Sequence, residues 1–295
     1  MMKRTMIYGL GVLLTVAMSP ALGEEVDRTI DAASDGHIRV SNTSGSVTVS
    51  GWSRSAVEVT GELGRNVEEL ILERDGDRVT VKVKVPRKGG RGIESDLHIQ
   101  VPAGSSINVG TVSADIEVMK VRGDQTLESV SGDIDTETED ADISAEVVSG
   151  DIEVRGKGRD AETRAGAVSG DLTLVGVAGV LEGGTVTGDM VVDGGSFDRA
   201  KMHTVNGEIL FNSELRKGGK LSAEAVNGTI DLKFAGEVSA RFEFDTLNGD
   251  IETCFGPEPK RTSKYTPGWI LNFQEGNGDG TVSASTVNGD IIVCR

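Results

Sequence analysis

From residue 112 onward the chain carries short bursts of alternating aliphatic and polar positions, and the bursts recur. A five-residue unit appears nine times: Val112-Ser-Ala-Asp-Ile116, Val130-Ser-Gly-Asp-Ile134, Val148-Ser-Gly-Asp-Ile152, Val168-Ser-Gly-Asp-Leu172, Val186-Thr-Gly-Asp-Met190, Val205-Asn-Gly-Glu-Ile209, Val226-Asn-Gly-Thr-Ile230, Leu247-Asn-Gly-Asp-Ile251 and Val287-Asn-Gly-Asp-Ile291. Successive starts are separated by 18, 18, 20, 18, 19, 21, 21 and finally 40 residues. A degenerate copy, Thr43-Ser-Gly-Ser-Val47, marks where the pattern begins.

Positions one and five of the unit are aliphatic, as position seven often is (Val118, Val154, Leu174, Phe211). Placing positions one, three, five and seven on one side is the period-2 signature of a strand with one buried face. Position three is glycine in eight of the nine copies, which suits a bend or a residue at positive φ. Position two is Ser, Thr or Asn, side chains that bond nearby backbone. A second glycine turn follows six to eight residues later, as at Gly123, Gly156, Gly176 and Gly194. Each unit therefore reads as strand, turn, strand, turn.

This grammar predicts an all-β fold, a single-stranded β-solenoid (β-helix) of about 18–21 residues per coil whose stacked units bury a continuous aliphatic column. Asn-Gly between β-formers is also a strong hairpin signal, so the alternative is a large antiparallel β-sheet or sandwich. Residues 24–104 lack the regular unit but still read as strands (37–40, 47–49, 57–60, 79–85 and 97–101). They are expected to form an N-terminal β cap and the first coils, covering an edge that would otherwise invite strand addition. The solenoid repeat domain then spans 105–295, interrupted by a C-terminal insertion at 256–280 that holds Tyr265 and Trp269. Because residues 282–287 resemble 242–247, the last coil is expected beside the preceding one.

Composition adds the compartment. Lys3 and Arg4, an apolar stretch over 6–18 and the small residues before Glu24 form a secretory signal over residues 1–23, with cleavage near Gly23. The chain is then exported, to the periplasm or the cell surface. The apolar stretch is shorter than a membrane span, and no second one follows in the mature chain. The formal charge of −17 becomes about −19 without the leader, which argues against nucleic acid and anionic membranes as partners.

Cys254 and Cys294 each lie seven residues after the start of their unit. In neighbouring coils they would fall within disulfide range, and an oxidising compartment favours the bond; two free thiols or a metal pair is the alternative. Position four is acidic in eight copies (Asp115, Asp133, Asp151, Asp171, Asp189, Glu208, Asp250 and Asp290). Stacked about 4.8 Å apart, neighbouring charges would repel by about 1 kcal/mol in water. Either each carboxylate bonds backbone N–H groups of its own turn, or the column holds a divalent cation such as Ca²⁺.

Catalytic signatures are absent from the sequence. His37, His98 and His203 are isolated, and no nucleophile elbow, phosphate loop or dinucleotide fingerprint occurs. No catalytic residue, cofactor or specific metal ligand is assigned, and the chain is expected not to be an enzyme. A polysaccharide-active enzyme is the catalytic alternative, but the repeats lack the aromatic platforms and basic clusters it would need.

With its Ser-Gly-Asp-Ile and Asn-Gly-Asp-Ile units, the Ser46-Val-Thr-Val-Ser-Gly-Trp52 stretch and Val101-Pro-Ala-Gly104, the chain over about 30–295 resembles the bacterial "putative adhesin" family of exported proteins, a domain of unknown function. The resemblance implies an extracytoplasmic β-repeat fold that binds an envelope polymer or a surface protein, and it brings no catalytic residues. The second expectation is a cation-stabilised structural protein of the periplasm.

Overall fold

The computed structural model describes residues 23–87, 90–263 and 267–295. Within them the chain is all-β, 71% strand without a helix, and forms one large mixed sheet. The repeats account for most of it. Each supplies a strand segment on either side of its Gly corner, and each segment pairs in parallel with its equivalent in the next repeat. Before the corner, Gln125–Ser131, Ile143–Ser149, Asp160–Ser169 and Ala178–Thr187 follow one another. After it, Ile134–Glu137, Ile152–Arg155 and Leu172–Val175 do the same. Pairing advances by one sequence period per step, for example Ile134 to Ile152 to Leu172 to Met190.

The core lies between the two parallel ladders. Position five gives one wall, the buried column Ile116, Ile134, Ile152, Leu172, Met190 and Ile209. The facing ladder contributes smaller residues such as Ala145, Ala165 and Ala223, buried on the inward side. Where the wall carries the longer Met190, the opposite position is Gly183, at which an added Cβ would come within 3.1 Å of Met190 Cε. Bulk on one wall is matched by its absence on the other, as close packing requires.

Position one overturns the expected buried face. Val112, Val130, Val148, Val168, Val186, Val205, Val226, Leu247 and Val287 are 37–52% exposed. The Gly corner breaks the alternation. Before it the buried residues of the second repeat are Gln125, Leu127 and Ser129, and after it Ile134 and Thr136. Val130 therefore belongs to the outward parity of the strand that ends at the corner.

The pattern begins where the degenerate copy suggested. His37–Trp52 pairs in parallel with Ser106–Met119, aligning Gly45 with Ala114 and Val47 with Ile116. Beyond it, Arg78–Lys84 and Ser95–Pro102 continue the two ladders in parallel, and antiparallel strands Glu24–Asp31, Ala56–Leu63 and Glu69–Asp75 form the margin.

At the other end the order in space departs from the order in sequence. Gly280–Asn288 pairs on one side with residues 220–227 and on the other with Ala240–Asn248. Likewise Ile291–Cys294 lies between Ile230–Phe234 and Ile251–Thr253. The last repeat is thus beside the preceding one, as expected, but inside the stack instead of at its end. The outer flank of Ala240–Asn248 is taken by the antiparallel strand Trp269–Glu275 from the insertion. Aromatic packing favours that arrangement: Phe242 stacks on Phe273 at 4.6 Å and meets Phe234, Phe244 and Phe255 edge-on. Cys254 and Cys294 lie at disulfide distance, with Cα atoms 5.0 Å apart.

Candidate functional site: an exposed aliphatic ladder

The corner that lifts position one out of the core also fixes it in a straight row. At several corners glycine is required: Gly170, Gly207 and Gly228 have φ of 152°, 154° and 158°, a region that essentially only glycine occupies, whereas the first corner holds Ala114. Small polar residues just inside the corner tie it down. Thr185 Oγ1 donates to the Gly170 carbonyl at 3.0 Å and Thr246 Oγ1 to that of Gly289 at 2.9 Å.

Side-chain ladders flank the corner on its outer surface. Asn227 Nδ2 donates to Asn206 Oδ1, Asn288 Nδ2 to Asn227 Oδ1 and Asn248 Nδ2 to Asn288 Oδ1, at 2.8, 2.8 and 2.9 Å. The acidic column forms a second ladder. The N–H of Asp133 donates to Asp115 Oδ1, that of Asp151 to Asp133, that of Asp171 to Asp151 and that of Asp189 to Asp171, at 2.7–3.0 Å. Glu208 N–H bonds Asp189 Oδ1, and Asp250 N–H bonds Asp290 Oδ1, at 2.7 and 2.8 Å. Six of the eight carboxylates thus reach the backbone of the neighbouring repeat instead of their own turn, because the parallel register brings the equivalent N–H under them. Charge-assisted bonds of this kind offset the repulsion along the column. Among the described residues, no group of three or more His, Cys, Asp or Glu side chains could hold a metal ion.

Between the acidic column and the next outward row of the strand runs the aliphatic ladder. Nine rungs at about 4.8 Å span roughly 38 Å. A shallow groove of about 640 Å³ follows its first rungs, with Val112, Val130, Val148 and Val168 in its lining and Glu128, Glu146 and Lys82 beside them. The row alongside carries further acids, Glu224 and Asp245, and one histidine, His203, in register with Glu224. Desolvation by burial raises the Asp245 carboxyl above its ordinary value; its cross-strand partner is Ile270.

Of the other candidates, Trp269 borders the last rung of this face, pairing with Thr246 beside Leu247. Trp269 is half-buried on the covering strand, with the Arg261 guanidinium 4.7 Å above its ring. Tyr265 and the leader residues before Gly23 fall outside the described residues. His37 and His98 sit near the N-terminal margin, on different strands. No helix among the described residues is long and apolar enough to cross a membrane. The exposed ladder was missed in the sequence, although a signal was there. Counting back by twos from the residue before position one gives Ser129, Leu127 and Gln125, or Ala225, Ala223 and Leu221, a run that is inward in both cases.

Residues 184–293 match the family model described as "Toastrack DUF4097". Among solved structures the chain is similar to a "putative cell adhesion protein" from Clostridium sporogenes, at 12% identity over 92% of this chain and 99% of that one, with a TM-score of 0.24. It is similar to a "putative adhesin" from Bacteroides fragilis, at 12% identity over 92% and 97% of the two chains, TM-score 0.37. A "putative lipid binding protein" from Parabacteroides distasonis aligns at 13% identity over 92% and 97%, TM-score 0.35. No curated protein matches.

Proposed function

We propose that this chain is an exported, non-enzymatic β-solenoid whose stacked repeats present a recognition face, an adhesin-like binding module of the cell envelope. The observation that carries the reading is the row of nine half-exposed aliphatic side chains in register. A contiguous apolar strip on a chain of this charge exposes surface that a plain scaffold would have made polar. Position one could be any β-former without loss to the core, since its side chain points outward. The leader-like residues 1–23 support export, and the acidic and amide ladders support a rigid stack that needs no cofactor.

The test is solid-phase binding of residues 24–295 to a panel of purified envelope polymers and surface proteins, compared with the triple variant V130T/V148T/V168T. Threonine keeps the β-branched shape, so the fold should persist while the strip loses apolar surface. Binding that is lost in the variant supports the reading. A panel member bound equally by both proteins would move recognition elsewhere.

A further inference from the structure

We infer that the aliphatic ladder receives a cationic amphipathic helix of a partner polypeptide. The inference rests on the ladder being the recognition face and adds the chemistry of what lies on it.

Three features select that occupant. First, acid borders the ladder along one side, on a chain of net charge −17. Glu128, Glu146, Glu224 and Asp245 stand in the outward row of the strand, sharing it with Gly110, Gly166, Gly184, His203 and Ser285, while Asp115 and Asp133 lie round the corner in a separate groove with Ser46 and Thr48. A second copy of this chain, at net charge −17, would set carboxylate against carboxylate, as would an anionic bilayer. A partner with Lys and Arg flanking an apolar strip complements this pattern.

Second, the face offers side chains and no main chain. The strands beneath it are paired on both edges through the repeats, so their N–H and C=O groups are spent within the sheet. An added β-strand would lie on this surface with its own backbone unpaired, at a cost for each group buried. A helix arrives with its backbone already satisfied and presents only side chains.

Third, the spacings agree over a few turns. Apolar residues on one helix face recur at about 5.4 Å per turn, about 0.6 Å more than the 4.8 Å between rungs, so side chains stay in step for about three turns before drifting. A ladder of roughly 38 Å accommodates a helix of about 25 residues at 1.5 Å each.

The experiment uses residues 24–295 and an amphipathic Leu/Lys peptide of about 18 residues, roughly 27 Å as a helix, titrated calorimetrically at low and high salt. A Leu/Glu peptide of the same pattern and a Ser/Lys peptide serve as controls. The Leu/Lys peptide should bind and become helical, and its affinity should fall at least about tenfold in V130T/V148T/V168T, with an unchanged melting curve for that variant. The controls should bind at least about tenfold more weakly than Leu/Lys. Equal Leu/Lys binding by the threonine variant would overturn the inference, since charge alone would then explain adsorption. So would no Leu/Lys binding, or binding of Leu/Glu at similar strength. If the peptide fails while the threonine variant still loses a partner in the envelope panel, the helix is wrong and the recognition face stands. If both fail, both readings fall.

Discussion

Replacing Gly207 by alanine should unfasten the stack at one corner. Gly207 has φ of 154°, and an added Cβ would lie far inside contact distance of the Gly188 carbonyl oxygen and 2.6 Å from its carbon. Both obstacles are backbone, so neither can swing away. Alanine held in a glycine-only region costs about 1–3 kcal/mol, and its Cβ still forces the two repeats apart. Parting strains the Gly188 N–H bond to the Asn206 carbonyl (3.0 Å) and the Glu208 N–H bond to Asp189 Oδ1 (2.7 Å), each worth about 1 kcal/mol. The total, about 3–5 kcal/mol, corresponds to a melting temperature lower by about 5–9 °C at the usual entropy of unfolding per residue. Gly166→Ala is the control. Its Cβ would meet nothing closer than Glu146 Cγ at 4.0 Å, so its effect should stay within about 1 kcal/mol. Thermal unfolding by circular dichroism reads the difference, and hydrogen exchange at residues 207–209 should localise it. If G207A melts with G166A, the corner is not under the constraint argued for it.

Three further outcomes are expected. C254S/C294S should lower stability by about 4 kcal/mol, the chain-entropy value for a 40-residue loop, and the wild type should fall to the same level in excess reductant; equal melting with and without reductant would show the bond is not formed. Burial raises the Asp245 carboxyl in the fold, so the folded state holds its proton to higher pH, and ionisation costs stability as pH rises through the raised value. D245N should therefore melt above wild type at neutral pH, with the gap closing in acid; a gap that grows in acid would reverse the assignment. The melting curve should not move between Ca²⁺ and chelator, because Asp115, Asp133, Asp151 and Asp171 already accept backbone N–H groups; a clear upward shift with Ca²⁺ would place a cation on the column.

Much of the architecture was legible because a repeat repeats its physics. The constant unit fixed the strand period, the corner and the parallel alignment of equivalent residues, and Cys254 and Cys294 in matching register foretold their proximity. What the sequence hid were departures from local alternation. Val130 and Ile134 are both aliphatic and four apart, so period 2 puts them on one face; only the backbone bend at Gly132 separates them. Asp133 has an N–H of its own turn nearby, and whether it bonds that group or that of Asp151 depends on how the repeats stack. Val282 and Phe242 occupy equivalent positions, so spacing could make them neighbours but could not say which lies nearer Leu221.

That last ambiguity bears on how the molecule is made. Most repeats find their partner about 20 residues back along the chain, and Asn227 bonds Asn206 across 21. Asn288 meets Asn227 across 61, and closing the longer loop costs about 1 kcal/mol more. As a chain emerges N-terminus first, the segment 240–254 is born before its true neighbour, facing a vacant berth beside residues 220–227 that its own pattern would fit. Occupying it gives a register one rung short, with Asn248 offering the same amide as Asn288. The covering strand 269–275, with Phe273 on Phe242, and residues 280–295 must both arrive before the correct order wins. Assembly of this protein should therefore end in a slow, tail-dependent step, and a transcript cut just before residue 280 should yield a compact but shortened impostor.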